Sequence, residues 1–334
     1  MPQLPMLDAN QMQHFEDDGA VIVDLQLPKD VLDGAEAAWE RDVSPMWDDP
    51  DWIALMADPC FEEIAKQVLR SDRVYILETG RAAPGTDRGE TNERAKSNDW
   101  PEKHGIRSEC TPPSPTTPPP PTASPHPLTA ALGAPGANAM HTDVQVTTED
   151  FEATPRREHL AIWFWLNDVP AERAAMRVSL GSHKRLGAHW QEMQRRWAED
   201  PSAPLPVMHG PRWEAEGEPD ARWWAGEEPT AMAAKRGHAQ VFSQSLLHAG
   251  WHSESGVPRK GMHVSWVAEG VSIGGMAFND NAGRIDGVRE RSRALRERLP
   301  ADRRHIAMDD ATLDRLVAAW VEEWPPTLRG RFRL

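Results

Sequence analysis

The alternation of apolar and polar residues predicts a helical lead-in at the start of the chain. Asp8 and Gln11 have the spacing of a capping box, which predicts a short helix that Gly19 ends. The stretch AVIVDL that follows is rich in β-branched residues and predicts a strand. Apolar residues at helical spacing predict helices over 29–42 and 51–69, and VYILETGR predicts a second strand over 74–81.

From residue 139 onward the pattern changes to that of strands. In HLAIWFWLNDV, Ile162 and Phe164 face one way and Trp163 and Trp165 the other, which is typical of a strand buried between two layers. The stretches HTDVQVT, AAMRVSLGSHK, AQVFSQSLLHAG and KGMHVSWVAEG predict further strands, and 284–299 and 310–320 predict charged helices. Several short strands after a helical lead-in predict an α+β protein built around a β-sandwich or jelly roll.

Two segments interrupt this pattern within what we interpret as a single domain, 1–334. Between Thr111 and Pro127, nine of seventeen residues are proline, so we interpret 88–135 as a disordered surface insertion, with a partner-binding proline motif as the alternative. Residues 188–234 are rich in tryptophan and form either a substrate lid or a packed insertion. The remaining parts are 1–87 with the first helices and strands, 136–275 as the jelly-roll core, and 276–334 as C-terminal helices.

Composition narrows the function classes. The formal net charge is −15, which argues against binding to nucleic acid or to anionic membranes, because both need clustered Lys and Arg. Two cysteines cannot build a disulfide framework, and neither a leader nor a membrane-spanning run is visible, so we predict a soluble cytoplasmic protein. We interpret its acidic C-terminal helices as either a solvated face or a dimer contact, so the predicted oligomeric state is a monomer or a homodimer.

His141 and Asp143 stand two apart at the start of a predicted strand. Side chains at i and i+2 of a strand point to the same face, so an imidazole and a carboxylate there can reach one metal ion. His248, at the end of a later predicted strand, offers a third ligand. Two histidines and one carboxylate form the facial triad that suits non-haem Fe(II), with three positions open.

Arg259 and Ser265 follow this third histidine. They are six residues apart, so they share a face if the strand is continuous. A planar guanidinium beside a hydroxyl is suited to bidentate recognition of a small carboxylate. His263 has the same parity, and we interpret it as a satisfied core histidine.

These residues carry a family resemblance. The sequence resembles the phytanoyl-CoA dioxygenase family of Fe(II)/2-oxoglutarate oxygenases, which have a double-stranded β-helix fold. The resemblance covers about half of the chain: the N-terminal helix and strand, the HTD triplet, AIWFWLNDVPAERAAMRVSLGSHK, and AQVFSQSLLHAGWHSESGVPRKGMHVSW.

The resemblance implies a role for each matching residue. His141, Asp143 and His248 would bind iron, and Arg259, assisted by Ser265, would hold the distal carboxylate of 2-oxoglutarate. The other implied co-substrate positions are Trp163, Thr142 and Arg81.

The activity implied is oxidation of a small organic substrate, by hydroxylation or a related oxidation. It would consume O2 and decarboxylate 2-oxoglutarate to succinate and CO2, with Fe(II) as the metal. Two alternatives stay open: a zinc hydrolase that uses the same three ligands, and a non-catalytic jelly roll that binds a ligand or partner.

Overall fold

Two antiparallel β-sheets form the centre of the protein, and helices pack around them. The structure is a computed structural model that describes residues 7–82, 142–144, 146–200, 229–250, 256–271 and 281–323. The larger sheet has the strand order β1-β6-β3-β8-β2, and the smaller sheet has the order β5-β4-β7. The strands are β1 (Ala20–Asp24), β2 (Val74–Arg81), β3 (His159–Trp165), β4 (Arg177–Val178), β5 (Thr230–Ala231), β6 (His238–Ser243), β7 (His248–Ala249) and β8 (Gly261–Ala268).

Helices precede, separate and follow the strands. They are α1 (Ala9–Asp18), α2 (Lys29–Arg41), α3 (Pro50–Met56), α4 (Pro59–Leu69), α5 (Thr148–Glu152), α6 (Ser182–Glu199), α7 (Asn281–Arg298) and α8 (Asp310–Glu323). Two sheets with flanking helices confirm the predicted α+β class with a jelly-roll, or double-stranded β-helix, core.

The two faces of the larger sheet have different partners. On the outer face, Phe164 of β3 meets Phe61 of α4 edge to face, with ring centroids 6.0 Å apart, inside the main apolar core. On the inner face, Ala161 and Phe242 pack in a second cluster with Val178 of the smaller sheet. The inner face therefore lies between the two sheets, and β3 is buried between two layers as predicted.

Local signals in the N-terminal third produce the predicted elements. Asp8 caps α1 in a capping box with Gln11, and Gly19 ends the helix with a φ of 81°, a left-handed conformation that favours glycine. The helix predicted over 51–69 is two helices. Asp58 caps the second one and Pro59 takes its first position, where the missing N–H is not needed.

Two strand predictions are wrong. AAMRVSLGSHK contributes only the two residues of β4 before α6 begins at Ser182. Asp143 and Val144 lie in a bend and not in a strand, because both backbone N–H groups donate to the carbonyl of Gln244, at 2.9 and 3.3 Å. The whole of the proline-rich insertion predicted over 88–135 lies outside the described residues, as do residues 201–228 of the tryptophan-rich segment.

Helices α7 and α8 pair with each other through opposite charges. Arg293 donates from Nη2 to Asp310 Oδ2 at 2.6 Å, and Arg289 donates to Asp314 at 2.8 Å. Arg291 anchors α7 to the larger sheet by donating to the Leu77 carbonyl of β2 at 2.7 Å. In the described part of the chain, no helix is long and apolar enough to cross a bilayer.

Candidate functional site

His248 is held rigidly by the smaller sheet. It lies in β7 opposite Val178 of β4, and it is buried. Its Nδ1 lies 2.9 Å from the carbonyl oxygen of Leu246, and the ring meets Phe242 edge to face at 5.2 Å. Because a carbonyl can only accept, Nδ1 is the donor, and in the neutral imidazole this leaves the lone pair on Nε2. Histidines that bind metals are commonly oriented in this way.

Asp143 presents its carboxylate to that nitrogen. Oδ2 of Asp143 lies 3.5 Å from Nε2 of His248. Two ligand atoms that bind one octahedral metal ion at right angles, each about 2.1 Å from it, are on the order of 3 Å apart. The side chain of Asp143 is 40% exposed, so the carboxylate retains room for another ligand. The pair fits a metal ion.

The third predicted ligand, His141, lies outside the described residues. Within the ranges that the structure describes, no group of three histidine, cysteine or carboxylate side chains could hold a metal ion. Thr142, between the two predicted ligands, is buried.

Arg259 is a buried cation on the inner face of the larger sheet. It is 3% exposed, and its guanidinium carbon lies 5.6 Å from the ring centroids of both Trp163 and Trp165. Its Nη1 donates to the carbonyl of Ala174 at 2.7 Å. Burial lowers the pKa of Arg259 to about 10, so the group is still charged at neutral pH. A desolvated guanidinium beside two aromatic rings suits recognition of a carboxylate.

Ser265 is joined to the backbone of Asp143, a predicted metal ligand, through one residue, Gln244. The amide of Gln244 donates from Nε2 to Ser265 Oγ at 2.8 Å, while its backbone carbonyl accepts from the N–H of Asp143. Both Gln244 and Ser265 are buried. Gln244 was not among the residues predicted from the sequence. Its signal was the polar run Ser-Gln-Ser within a buried strand pattern, directly before the apolar residues that lead to His248.

His263 lies on the inner face, and its Nδ1 has no hydrogen-bond partner among the described residues, unlike that of a satisfied core histidine. Its ring stacks on Trp163 with centroids 5.3 Å apart and planes 22° apart. Burial lowers the pKa of His263 to about 4, against the opposing effect of the Asp143 carboxylate. His263, Trp163 and Arg259 therefore follow one another along the inner face of the larger sheet.

Arg81 occupies a different environment. It stacks 4.5 Å over the ring of Trp39, forms an ion pair with Asp42, and donates to the Trp39 carbonyl at 2.7 Å. These contacts direct Arg81 toward the end of α2, although its strand neighbour Gly80 lies beside His263.

The fold and the site together define a class of protein. A jelly roll that sets an imidazole and a carboxylate side by side, with a buried guanidinium on the same inner face, is typical of metal-dependent enzymes that bind a small carboxylate.

Residues 125–261 match the model of the Phytanoyl-CoA dioxygenase (PhyH) family. This match confirms the family resemblance and the enzyme class predicted from the sequence, an iron and 2-oxoglutarate-dependent oxygenase. It includes the segment from His141 to Arg259 and stops before Ser265. No curated protein matches the sequence of this chain.

Several solved structures have a distantly similar fold. The epimerase SnoN, in complex with Fe3+, alpha ketoglutarate and nogalamycin RO, is 13% identical with a TM-score of 0.46, covering 78% of this chain and 83% of SnoN. EctD from S. alaskensis is 14% identical with a TM-score of 0.42, covering 80% and 78%. HygX from Streptomyces hygroscopicus is 12% identical with a TM-score of 0.44, covering 79% and 87%. Likeness at this level does not extend to the ligands of those proteins.

Proposed function

We propose that this protein is an Fe(II)/2-oxoglutarate-dependent oxygenase that hydroxylates or otherwise oxidises a small organic molecule. The observation that supports it most directly is the pairing of His248 Nε2 with Asp143 Oδ2 at 3.5 Å, with the other ring nitrogen committed to a carbonyl. His141, two residues before Asp143, is the proposed third ligand. When bound, iron would supply the oxidation of the substrate, coupled to decarboxylation of 2-oxoglutarate to succinate and CO2.

The residues of the chain position the co-substrate and keep water away. Arg259 would hold the distal carboxylate of 2-oxoglutarate, because its guanidinium is buried, charged and oriented by the Ala174 carbonyl. Trp163 and Trp165 cover the guanidinium with apolar surface and strengthen the ion pair by excluding solvent. Thr142 and Ser265 would contribute hydroxyl groups to the same pocket.

The alternative of a zinc hydrolase leaves part of this arrangement without a purpose. Such a site needs a metal-bound water, but it has no use for a buried cation on the same inner face. A diacid co-substrate would bind a planar guanidinium through its carboxylate, so the oxygenase gives this buried group a use.

The experiment that tests this proposal is a screen for substrate-stimulated succinate. The Fe(II)-loaded protein would be incubated with 2-oxoglutarate and air, alone and with individual small metabolites. We expect slow succinate release without substrate and at least a severalfold increase with the correct compound. Arg259→Met serves as the control, because it should abolish both rates at a 2-oxoglutarate concentration that saturates the wild type. Succinate release that the Arg259 variant shares with the wild type would refute the proposed role of the guanidinium.

A further inference from the structure

One row of side chains crosses the inner face of the whole five-stranded sheet. Cross-strand register places five residues side by side on β1, β6, β3, β8 and β2: Ile22, Gln240, Trp163, His263 and Gly80. Ile22, Trp163 and His263 retain accessible surface although the row lies between two sheets. The row therefore borders open space in the interior.

The candidate site has two halves, the proposed metal site at Asp143 and His248 and the proposed co-substrate anchor at Arg259. His263 occupies the part of this row between them. On one side its ring stacks on Trp163, whose ring lies 5.6 Å from the guanidinium carbon of Arg259. On the other side, Ser265 lies two residues along the same face of β8 and accepts from Gln244, whose backbone carbonyl accepts from the N–H of Asp143. A molecule that extends from the metal site to Arg259 would therefore pass His263.

Gly80 makes the position of this imidazole possible. A Cβ added to Gly80 would lie 2.5 Å from Cε1 of His263, closer than real Cβ contacts come, and 3.2 Å from its Nε2, a tight contact. The ring thus rests directly on the backbone of β2. Any larger residue at position 80 would push the imidazole into the open space or off the ring of Trp163.

The two ring nitrogens of His263 have different surroundings. Nδ1 is fully covered and has no hydrogen-bond partner among the described residues. The structure records no hydrogen bond to Nε2 from the described residues either, and Nε2 is not among the fully covered atoms. Nε2 is therefore the nitrogen that a ligand in the open space can reach.

We propose that His263 is a further co-substrate-binding residue, whose Nε2–H donates a hydrogen bond to the carboxylate of 2-oxoglutarate at its metal-bound end. The proposal rests on the oxygenase function proposed above. Since a carboxylate only accepts, Nε2 carries the proton and Nδ1 keeps the buried lone pair. Arg259 and His263 then divide the diacid between them: the guanidinium binds the distal carboxylate and the imidazole binds the proximal one. Gly80 is the positioning residue that holds the ring in place.

The test is a titration of 2-oxoglutarate into the anaerobic Fe(II)-loaded full chain, followed by the visible charge-transfer band. We expect His263→Phe, which keeps a stacked ring and removes the donor, to weaken 2-oxoglutarate binding at least tenfold. Fe(II) affinity, measured separately by competition with a chromophoric chelator, should stay within about threefold of the wild type, because no metal ligand is touched. His183→Phe is the matched control, since His183 is another histidine in contact with an aromatic ring, Phe151, with centroids 4.7 Å apart.

Two more variants keep the test valid if His263→Phe does not fold. His263→Gln retains a donor and should bind 2-oxoglutarate within about threefold of the wild type. Gly80→Ala retains the histidine but displaces its ring, and should weaken binding at least fivefold. Unchanged 2-oxoglutarate affinity in His263→Phe, or in Gly80→Ala, overturns the proposal. So does a parallel loss of Fe(II) and 2-oxoglutarate affinity, which indicates a purely structural ring.

The proposal and the function on which it rests fail in different ways. A wild-type protein that binds Fe(II) but shows no band with 2-oxoglutarate refutes the oxygenase itself. A normal wild-type band with unchanged affinity in the His263 variants refutes only the role of His263.

Discussion

Gln244 allows the two halves of the site to be perturbed separately, because it is joined to each by different atoms. Its backbone carbonyl accepts from Asp143 at 2.9 Å, and its side-chain amide donates to Ser265 at 2.8 Å. Gln244→Met keeps the length of the side chain and the backbone carbonyl while it removes the amide. The change therefore affects the hydrogen bond to Ser265 and leaves the anchor of Asp143 in place.

The expected cost follows from the burial of both partners. Ser265 is completely buried and Gln244 is 5% exposed, so no solvent replaces the lost donor. A hydrogen bond contributes about 1 kcal/mol net, and a buried polar atom left without a partner costs about 1–3 kcal/mol. We expect Gln244→Met to lower the free energy of unfolding by about 2 kcal/mol. Fe(II) affinity should change by less than about threefold, because Asp143 keeps its backbone hydrogen bond.

The assay is equilibrium unfolding of the metal-free protein in urea as a double-mutant cycle. Wild type, Gln244→Met, Ser265→Ala and the double variant are compared, and each single change removes one partner of the hydrogen bond. We expect a coupling energy of about 1 kcal/mol or more between the two positions. Additivity within about 0.3 kcal/mol would refute the hydrogen bond. A tenfold loss of Fe(II) affinity in Gln244→Met would refute the separation of the two halves.

Three further predictions concern the core, the pH dependence and the carboxylate anchor. Gly19→Ala should lower the free energy of unfolding in urea by about 2 kcal/mol or more, because the φ of Gly19 is 81° and a Cβ there would lie 2.5 Å from His183 Nδ1. Gly287→Ala in α7, where a Cβ meets open space, should raise it by up to about 1 kcal/mol. Burial raises the pKa of Glu158 from 4.5 to about 7, so this carboxyl contributes stability that is present below about pH 4.5 and is lost as pH rises through about 7. Glu158→Gln should therefore flatten the fall in Tm between pH 5 and 8. An unchanged Tm profile in this variant would contradict the assignment. Arg259→Lys, which keeps the charge but not the planar fork, should weaken 2-oxoglutarate binding about tenfold or more by calorimetry, and equal affinity would show that the fork is not used.

The sequence predicted those elements that short-range signals determine. The capping box at Asp8, the stop at Gly19 and the strand over 74–81 all appear at the expected residues, since each depends on neighbours within a few positions. The face of β3 that carries Trp163 was also predicted, because alternation along a strand fixes which side chains share a side.

Other features depend on contacts between distant parts of the chain. The bend at Asp143 is set by the carbonyl of Gln244, about a hundred residues later, so the local pattern of HTDVQVT indicated a strand instead. The role of Gln244 and the orientation of His263 over Gly80 likewise arise from strand register. A single sequence shows parity along one strand, but it does not show which residues of two strands stand opposite each other.

The central claim is that Asp143 and His248 bind one ferrous ion beside a site for 2-oxoglutarate. Its most direct test is the visible spectrum of the anaerobic Fe(II) protein with 2-oxoglutarate, followed by exposure to air and measurement of succinate. We predict a charge-transfer band, then succinate, and loss of both in Asp143→Ala. A protein that binds Fe(II) but gives no band, or an Asp143→Ala variant that still produces succinate at the wild-type rate, would contradict it.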